Sequence, residues 1–212
     1  MKKLISFLSI AVCITACTNH HEQLPILGER QTSTTIVNGG KNTDTIYHTI
    51  PNFSFIDQNG QEVTEQTVKD NIYVADFFFT SCPTICPTMK RNLLKVYEKF
   101  HTHNDFKILS HTIDPKHDTI SVLKRFAQKL NVDHKTWLFL WGERDKVYHL
   151  AQTAYLSVVQ ENKEAPGGFV HSGYLLLVDK NRHIRGAYDG TNDKQVAQLI
   201  KDIDLLYEEY QP

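Results

Sequence analysis

Cys82 and Cys86 are separated by Pro83, Thr84 and Ile85, and each is followed by a proline. A thiolate is both a soft metal ligand and a nucleophile toward disulfides, so a close pair suits metal binding or thiol exchange. If the segment turns into helix, residues four apart share a face and both sulfurs reach one ion. Pro83 and Pro87 fit a loop and a first helical turn, where no backbone N–H is missed. A helix N-terminus favours negative charge, which predicts lowered thiol pKa values for the pair. Dithiol enzymes of the thioredoxin type place two residues between their cysteines, and here there are three. Peroxide-reducing thiol enzymes usually carry a threonine three residues before the reactive cysteine. Phe79 and Pro83 hold those places here, so neither enzyme pattern fits.

The chain has four cysteines, and its start disposes of two. Met1-Lys2-Lys3 is positive, and Leu4 to Thr15 is mostly apolar. That run has the length of a signal-peptide core and is too short to cross a bilayer as a helix. Ile14-Thr15-Ala16-Cys17 resembles a bacterial lipobox. The expectation is a lipoprotein signal peptide over residues 1–16 and a lipid on Cys17. The alternative is an ordinary secretory signal with an incidental cysteine. With Cys13 discarded and Cys17 lipidated, Cys82 and Cys86 are the only thiols left. The location expected is the bacterial cell envelope, with the body anchored to a membrane outside the cytoplasm. There the pair can oxidise, although so small a loop would staple little of a fold. Without Lys2 and Lys3 the chain has 21 basic and 24 acidic residues and no basic stripe, which excludes nucleic acid as a main partner.

Thr18 to about Ile46 is rich in Thr, Asn and Gly without a sustained period, so residues 17–45 read as a flexible tether. Residues 46–212 read as one domain. Phe53 and Phe55 alternate with polar residues up to Asp57-Gln58-Asn59-Gly60, a hairpin signal. The continuous apolar run from Ile72 to Phe79 predicts a strand buried on both faces. A helical period follows the cysteines through Leu93, Val96 and Phe100. Strands are then expected at Phe106–Ile113 and Thr136–Trp141, and helices at Thr119–Leu130 and Asp145–Thr153. Glu161 to Gly168 reads as an inserted loop. Tyr174–Val178 and His183–Tyr188 flank a turn at Asp179-Lys180-Asn181, and a last helix covers Asp193–Tyr207. Alternating strands and helices, with cysteines straight after the first buried strand, predict an α/β, thioredoxin-like fold. To it are added an N-terminal β-hairpin extension and an inserted loop before the last hairpin.

In such a fold the segment before the Tyr174–Val178 strand faces the cysteines, at a place usually taken by a cis-proline. Here Pro166 and Pro212 leave no proline there, and His171 stands in its stead. His171 is therefore the expected third ligand. Two sulfurs and an imidazole suit Cu(I), and hold Cu(II) with a further weak ligand. Zinc would want a fourth ligand or a water. Asp114, in an Asp-Pro turn, is read either as a turn residue or as a group beside the cysteine loop that supports the ligands from behind or contacts the partner.

Phe77-x-x-Thr80-x-Cys82-Pro83-x-x-Cys86-Pro87, the stretch Thr112-Ile113-Asp114-Pro115-Lys116-His117-Asp118-Thr119, and His171 before a hydrophobic strand resemble the Sco/SenC family over about residues 47–208. The resemblance implies copper held by Cys82, Cys86 and His171, and delivery to the binuclear copper centre of cytochrome c oxidase. It also implies, as a second activity, reduction of that centre's cysteines. The partners expected are the copper-containing oxidase subunit and other copper chaperones or thiol reductants. Residues 157–170 depart from the family, and Val170 gives His171 no acidic neighbour. Two alternatives stay open: a thiol-disulfide oxidoreductase using Cys82 and Cys86 as its redox pair, and a copper or redox sensor.

Overall fold

A computed structural model describes residues 23–37 and 40–211. The expected signal peptide and the expected lipid site at Cys17 lie outside the described residues. The polar stretch read as a tether holds a two-stranded antiparallel hairpin, β1 (Arg30–Val37) and β2 (Gly40–Tyr47). Thr32, Thr34, Thr43 and Thr45 fill one of its faces and Ser33, Thr35, Asn42 and Asp44 the other, so no apolar stripe betrays it. Its described side chains are exposed, and it covers no core. No helix of the described residues is long and apolar enough to cross a membrane.

The expected hairpin extension follows as β3 (Ser54–Ile56) and β4 (Glu62–Thr64). Asp57 closes its turn by accepting from the backbone of Asn59 and Gln61 at 2.8 Å each, and Gly60 takes φ +80°. β5 (Ile72–Phe78) is buried at every position, as a strand covered on both faces must be. After the cysteine loop comes α1 (Cys86–Phe100), which buries Met89, Leu93, Val96 and Phe100 at helical spacing. β6 (Phe106–Thr112), α2 (Ile120–Leu130) and β7 (Trp137–Leu140) continue the alternation.

The helix expected over 145–153 is divided. α3 (Arg144–His149) passes into one π turn, Leu150–Ala154, where the Tyr155 N–H reaches the Leu150 carbonyl at 3.1 Å. The Ala154 carbonyl is taken by the His48 ring at 2.6 Å rather than by the helix. Two short strands, β8 (Val159–Glu161) and β9 (Phe169–His171), bracket the inserted loop. β10 (Tyr174–Val178), β11 (Ile184–Asp189) and α4 (Asp193–Glu209) complete the chain.

The central sheet has the order β11-β10-β5-β6-β7. β5, β6 and β7 run parallel, and the β10–β11 hairpin joins antiparallel to β5. This is the thioredoxin-like arrangement expected from the sequence. It sets the carboxyl end of β5, where the cysteines follow, next to the entry to β10, where His171 precedes.

Candidate metal centre

Cys82 lies in the turn after β5, and Cys86 is the first residue of α1. The sulfurs therefore do not share a helical face, and the turn from Ser81 to Ile85 brings them together. Pro87 sits in the first turn of α1, where its missing N–H costs nothing. Both cysteines are free thiols in the structure.

The two thiols differ. Burial and the hydrogen bond with Cys82 push the Cys86 pKa far above the thiol range, and the nearby Lys90 charge opposes this only in part. Burial also raises Cys82, but hydrogen bonds from the Thr84 backbone, from Cys86 and from the Thr84 hydroxyl outweigh it and set the pKa below the usual value. The helix N-terminus was expected to lower both. For Cys86 desolvation wins, because the residue is buried.

β9 delivers His171. Its Nε2 lies 3.5 Å from the Cys86 sulfur, and burial holds its imidazole pKa below the ordinary value. An imidazole kept neutral has a lone pair for a metal. The two sulfurs and one histidine nitrogen lie within 4.8 Å of one another. Two bonds of about 2.3 Å to a common ion span at most ~4.6 Å, so the trio fits one metal with little movement. A cleft of about 180 Å³ between the loop and β9 exposes Cys82 and His171 together.

Phe79 organises this approach. Its ring centroid is 5.0 Å from Phe169 and 5.9 Å from His171. Gly167, at φ +78°, passes so close that a Cβ there would lie 2.8 Å from the Phe79 ring and 3.1 Å from Pro83. Only glycine combines that backbone with that clearance. The base of the β8–β9 pair is fixed by the Ser157 and Ser172 hydroxyls, 2.5 Å apart.

Asp114 does not reach the cysteine loop through any hydrogen bond of the structure. It closes its own turn, accepting from His117 and Asp118 through its carbonyl. The buried Asp118 occupies the supporting place instead. Its carboxylate accepts from the Thr80 N–H at 3.0 Å, from the Thr80 hydroxyl and from the Thr112 hydroxyl at 2.6 Å. Both aspartates belong to the same recognised stretch, and only the fold of its turn separates their roles.

The SCO1/SenC family model matches residues 41–207. The crystal structure of a SCO1/SenC family lipoprotein from Bacillus anthracis is 27% identical, with a TM-score of 0.69 over 76% of this chain and 95% of that one. BsSco, a member of the Sco family of cytochrome c oxidase assembly proteins in which a disulfide switch was identified, is 27% identical with a TM-score of 0.66, covering 75% and 93% of the two chains. The copper-bound ScoI of Arabidopsis thaliana shares the fold at 22% identity, with a TM-score of 0.61 over 73% and 97%. By the match across the whole globular body and the thiol–thiol–imidazole trio at the carboxyl end of β5, this chain belongs to the SCO1/SenC family.

Proposed function

We propose that this protein holds copper at Cys82, Cys86 and His171 and passes it to the binuclear copper centre of cytochrome c oxidase. The observation that carries the reading is the convergence of two sulfurs and one imidazole nitrogen within 4.8 Å. That donor set is soft enough for Cu(I) and leaves one side open to an incoming thiolate. Family membership and the oxidase-assembly role of the similar BsSco support it. In this reading Cys17 carries a lipid that keeps the body at the membrane of the cell envelope.

Copper here is cargo, and the chain's own groups govern its loading. Burial favours the neutral imidazole of His171. The hydrogen bonds to Cys82 favour its thiolate. Cys86 keeps its proton until a metal displaces it, so loading releases a proton.

The thiol asymmetry favours a second activity on the same residues. The Cys82 thiolate attacks a partner disulfide and forms a mixed disulfide, releasing the partner's first sulfur as a thiolate. Cys86 then loses its proton and attacks the Cys82 sulfur. The partner leaves as a dithiol, and Cys82–Cys86 is left oxidised.

One experiment separates metal holding from thiol exchange. The reduced protein is expected to bind one copper per chain. His171→Ala should weaken binding by about 100-fold while Cys82 and Cys86 still form their disulfide. Equal copper affinity in His171→Ala would remove the three-ligand site. Loss of disulfide formation as well would point to a collapsed loop rather than a missing ligand.

A further inference from the structure

The cysteine pair is open on two sides. One side is the cleft shared with His171. The other is a groove of about 290 Å³ between α1 and α2, lined by Cys82, Cys86, Leu94, Phe126, Leu130 and Arg91 among others. His171 does not line this groove, and Cys86 lines it without lining the His171 cleft. A partner that reaches Cys86 through the groove therefore approaches without displacing the histidine.

The walls of the groove are apolar and unfinished. Leu94, Phe126 and Leu130 are only partly buried, although they pack against the core. Glu98, one turn past Leu94 on α1, puts one acid at the far end of the groove, and the rest of the rim is basic. Arg91 is exposed, and α2 contains Lys124, Arg125 and Lys129 but no acidic residue. At 100° per residue, Arg125 and Lys129 stand on the solvent side of Phe126 and Leu130. Arg91, Arg125 and Lys129 take part in no ion pair among the described residues. The acidic group that feels Arg91, Asp193, is held by Lys95 at 3.1 Å. Lys90, deeper in the groove, is neutralised by Asp76 at 2.6 Å. The chain as a whole is slightly acidic, so this basic rim does not follow from composition.

We propose that the groove between α1 and α2 is the docking site for an acidic, apolar segment of the partner protein served by Cys82 and Cys86. The proposal rests on the function proposed above and adds the chemistry by which the partner is recognised. Leucine or phenylalanine side chains of the segment cover Leu94, Phe126 and Leu130. Its carboxylates meet Arg91, Arg125 and Lys129, steering the encounter and fixing its direction.

The test uses the full-length protein in detergent with three probes: a fluorescent peptide of leucine and glutamate, its leucine–lysine counterpart, and glycerophosphoglycerol, the soluble headgroup of phosphatidylglycerol. The acidic peptide should bind, and binding should weaken about tenfold in Arg91→Glu/Lys129→Glu and fall with added salt. The lysine peptide should not bind. Both substituted residues are exposed, and unchanged circular dichroism and copper stoichiometry in the variant report an intact fold and metal site. Equal binding of the two peptides, or undiminished binding by the variant, overturns the proposal. Binding to the headgroup alone, lost in the variant, overturns it in favour of a membrane surface. Peptide binding without copper binding leaves the groove standing and sinks the metal reading. Copper binding without peptide binding does the reverse.

Discussion

His111 sits near the carboxyl end of β6 with no solvent exposure and no hydrogen-bond partner for either ring nitrogen among the described residues. Its ring stacks on Phe77 at 5.2 Å and stands edge-on to Phe55 at 5.1 Å. Burial alone drives its pKa down to about 3. The unfolded value is near 6.5, so between about pH 3 and pH 6.5 the unfolded chain carries one proton that the folded chain does not. Stability is therefore lost as pH falls through that window, by about 1.4 kcal/mol per pH unit, and is unaffected above it. His111→Phe should flatten the pH dependence of the unfolding free energy, measured by urea titration, by that slope. His171, also lowered by burial, contributes with the same sign, so the readout is the difference between variant and wild type. An unchanged slope would mean that His111 protonates inside the fold. The sequence offered no handle on this residue, since a histidine within an apolar strand reads as neutral. Cys82, Cys86 and His171 were legible because thiols and a histidine before a strand are few. The split between the two thiols was not legible, because it depends on how deeply each sulfur is packed.

At the scale of elements, the cysteine loop is held at its start by Asp118, just ahead of α2. One carboxylate joins the end of β6 to the first residues of the loop through Thr112 and Thr80. Asp118→Ala would leave a backbone N–H and two hydroxyls without their acceptor. The expected cost is about 2–4 kcal/mol of stability, with copper affinity down about tenfold as Thr80 and Cys82 drift. Asp118→Asn keeps the shape and should recover part of both. Denaturant unfolding and copper titration measured side by side test this, and an Asp118→Ala protein with wild-type affinity would show that the loop holds its form alone. Long apolar runs made β5 and β6 legible, and helical periods did the same for α1, α2 and α4. β1 and β2 escaped because Thr and Ser on both faces carry no burial signal. β8 and β9 escaped because three residues are too few to show a period. The Asp-Pro stretch pointed to the right turn, but the choice of Asp118 over Asp114 needed the path of the backbone.

For the whole molecule, the two ends of the described chain are tied together at Arg185. Its guanidinium reaches Asp179 at 3.0 Å, Glu209 at 2.7 Å, and the carbonyls of Leu24 at 2.6 Å and Pro25 at 3.2 Å. Glu209 in turn accepts from the Leu24 N–H at 2.7 Å, and the Leu27 N–H meets the Ile184 carbonyl at 2.8 Å. The segment read as a loose tether is thus strapped to β11 and the end of α4 before the β1–β2 hairpin begins. Arg185 is nearly buried, so removing it strands the carboxylates of Asp179 and Glu209 without a counter-charge. Arg185→Met is expected to lower stability by about 3 kcal/mol. The distinguishing readout is hydrogen exchange. Amides of Leu24 and Leu27 should lose protection outright, while those of β5 should fall only by the global loss. If Leu24 and Leu27 keep their protection relative to β5, the strap is held by packing of Leu24 and Leu27 against the core, and the charge cluster serves stability alone.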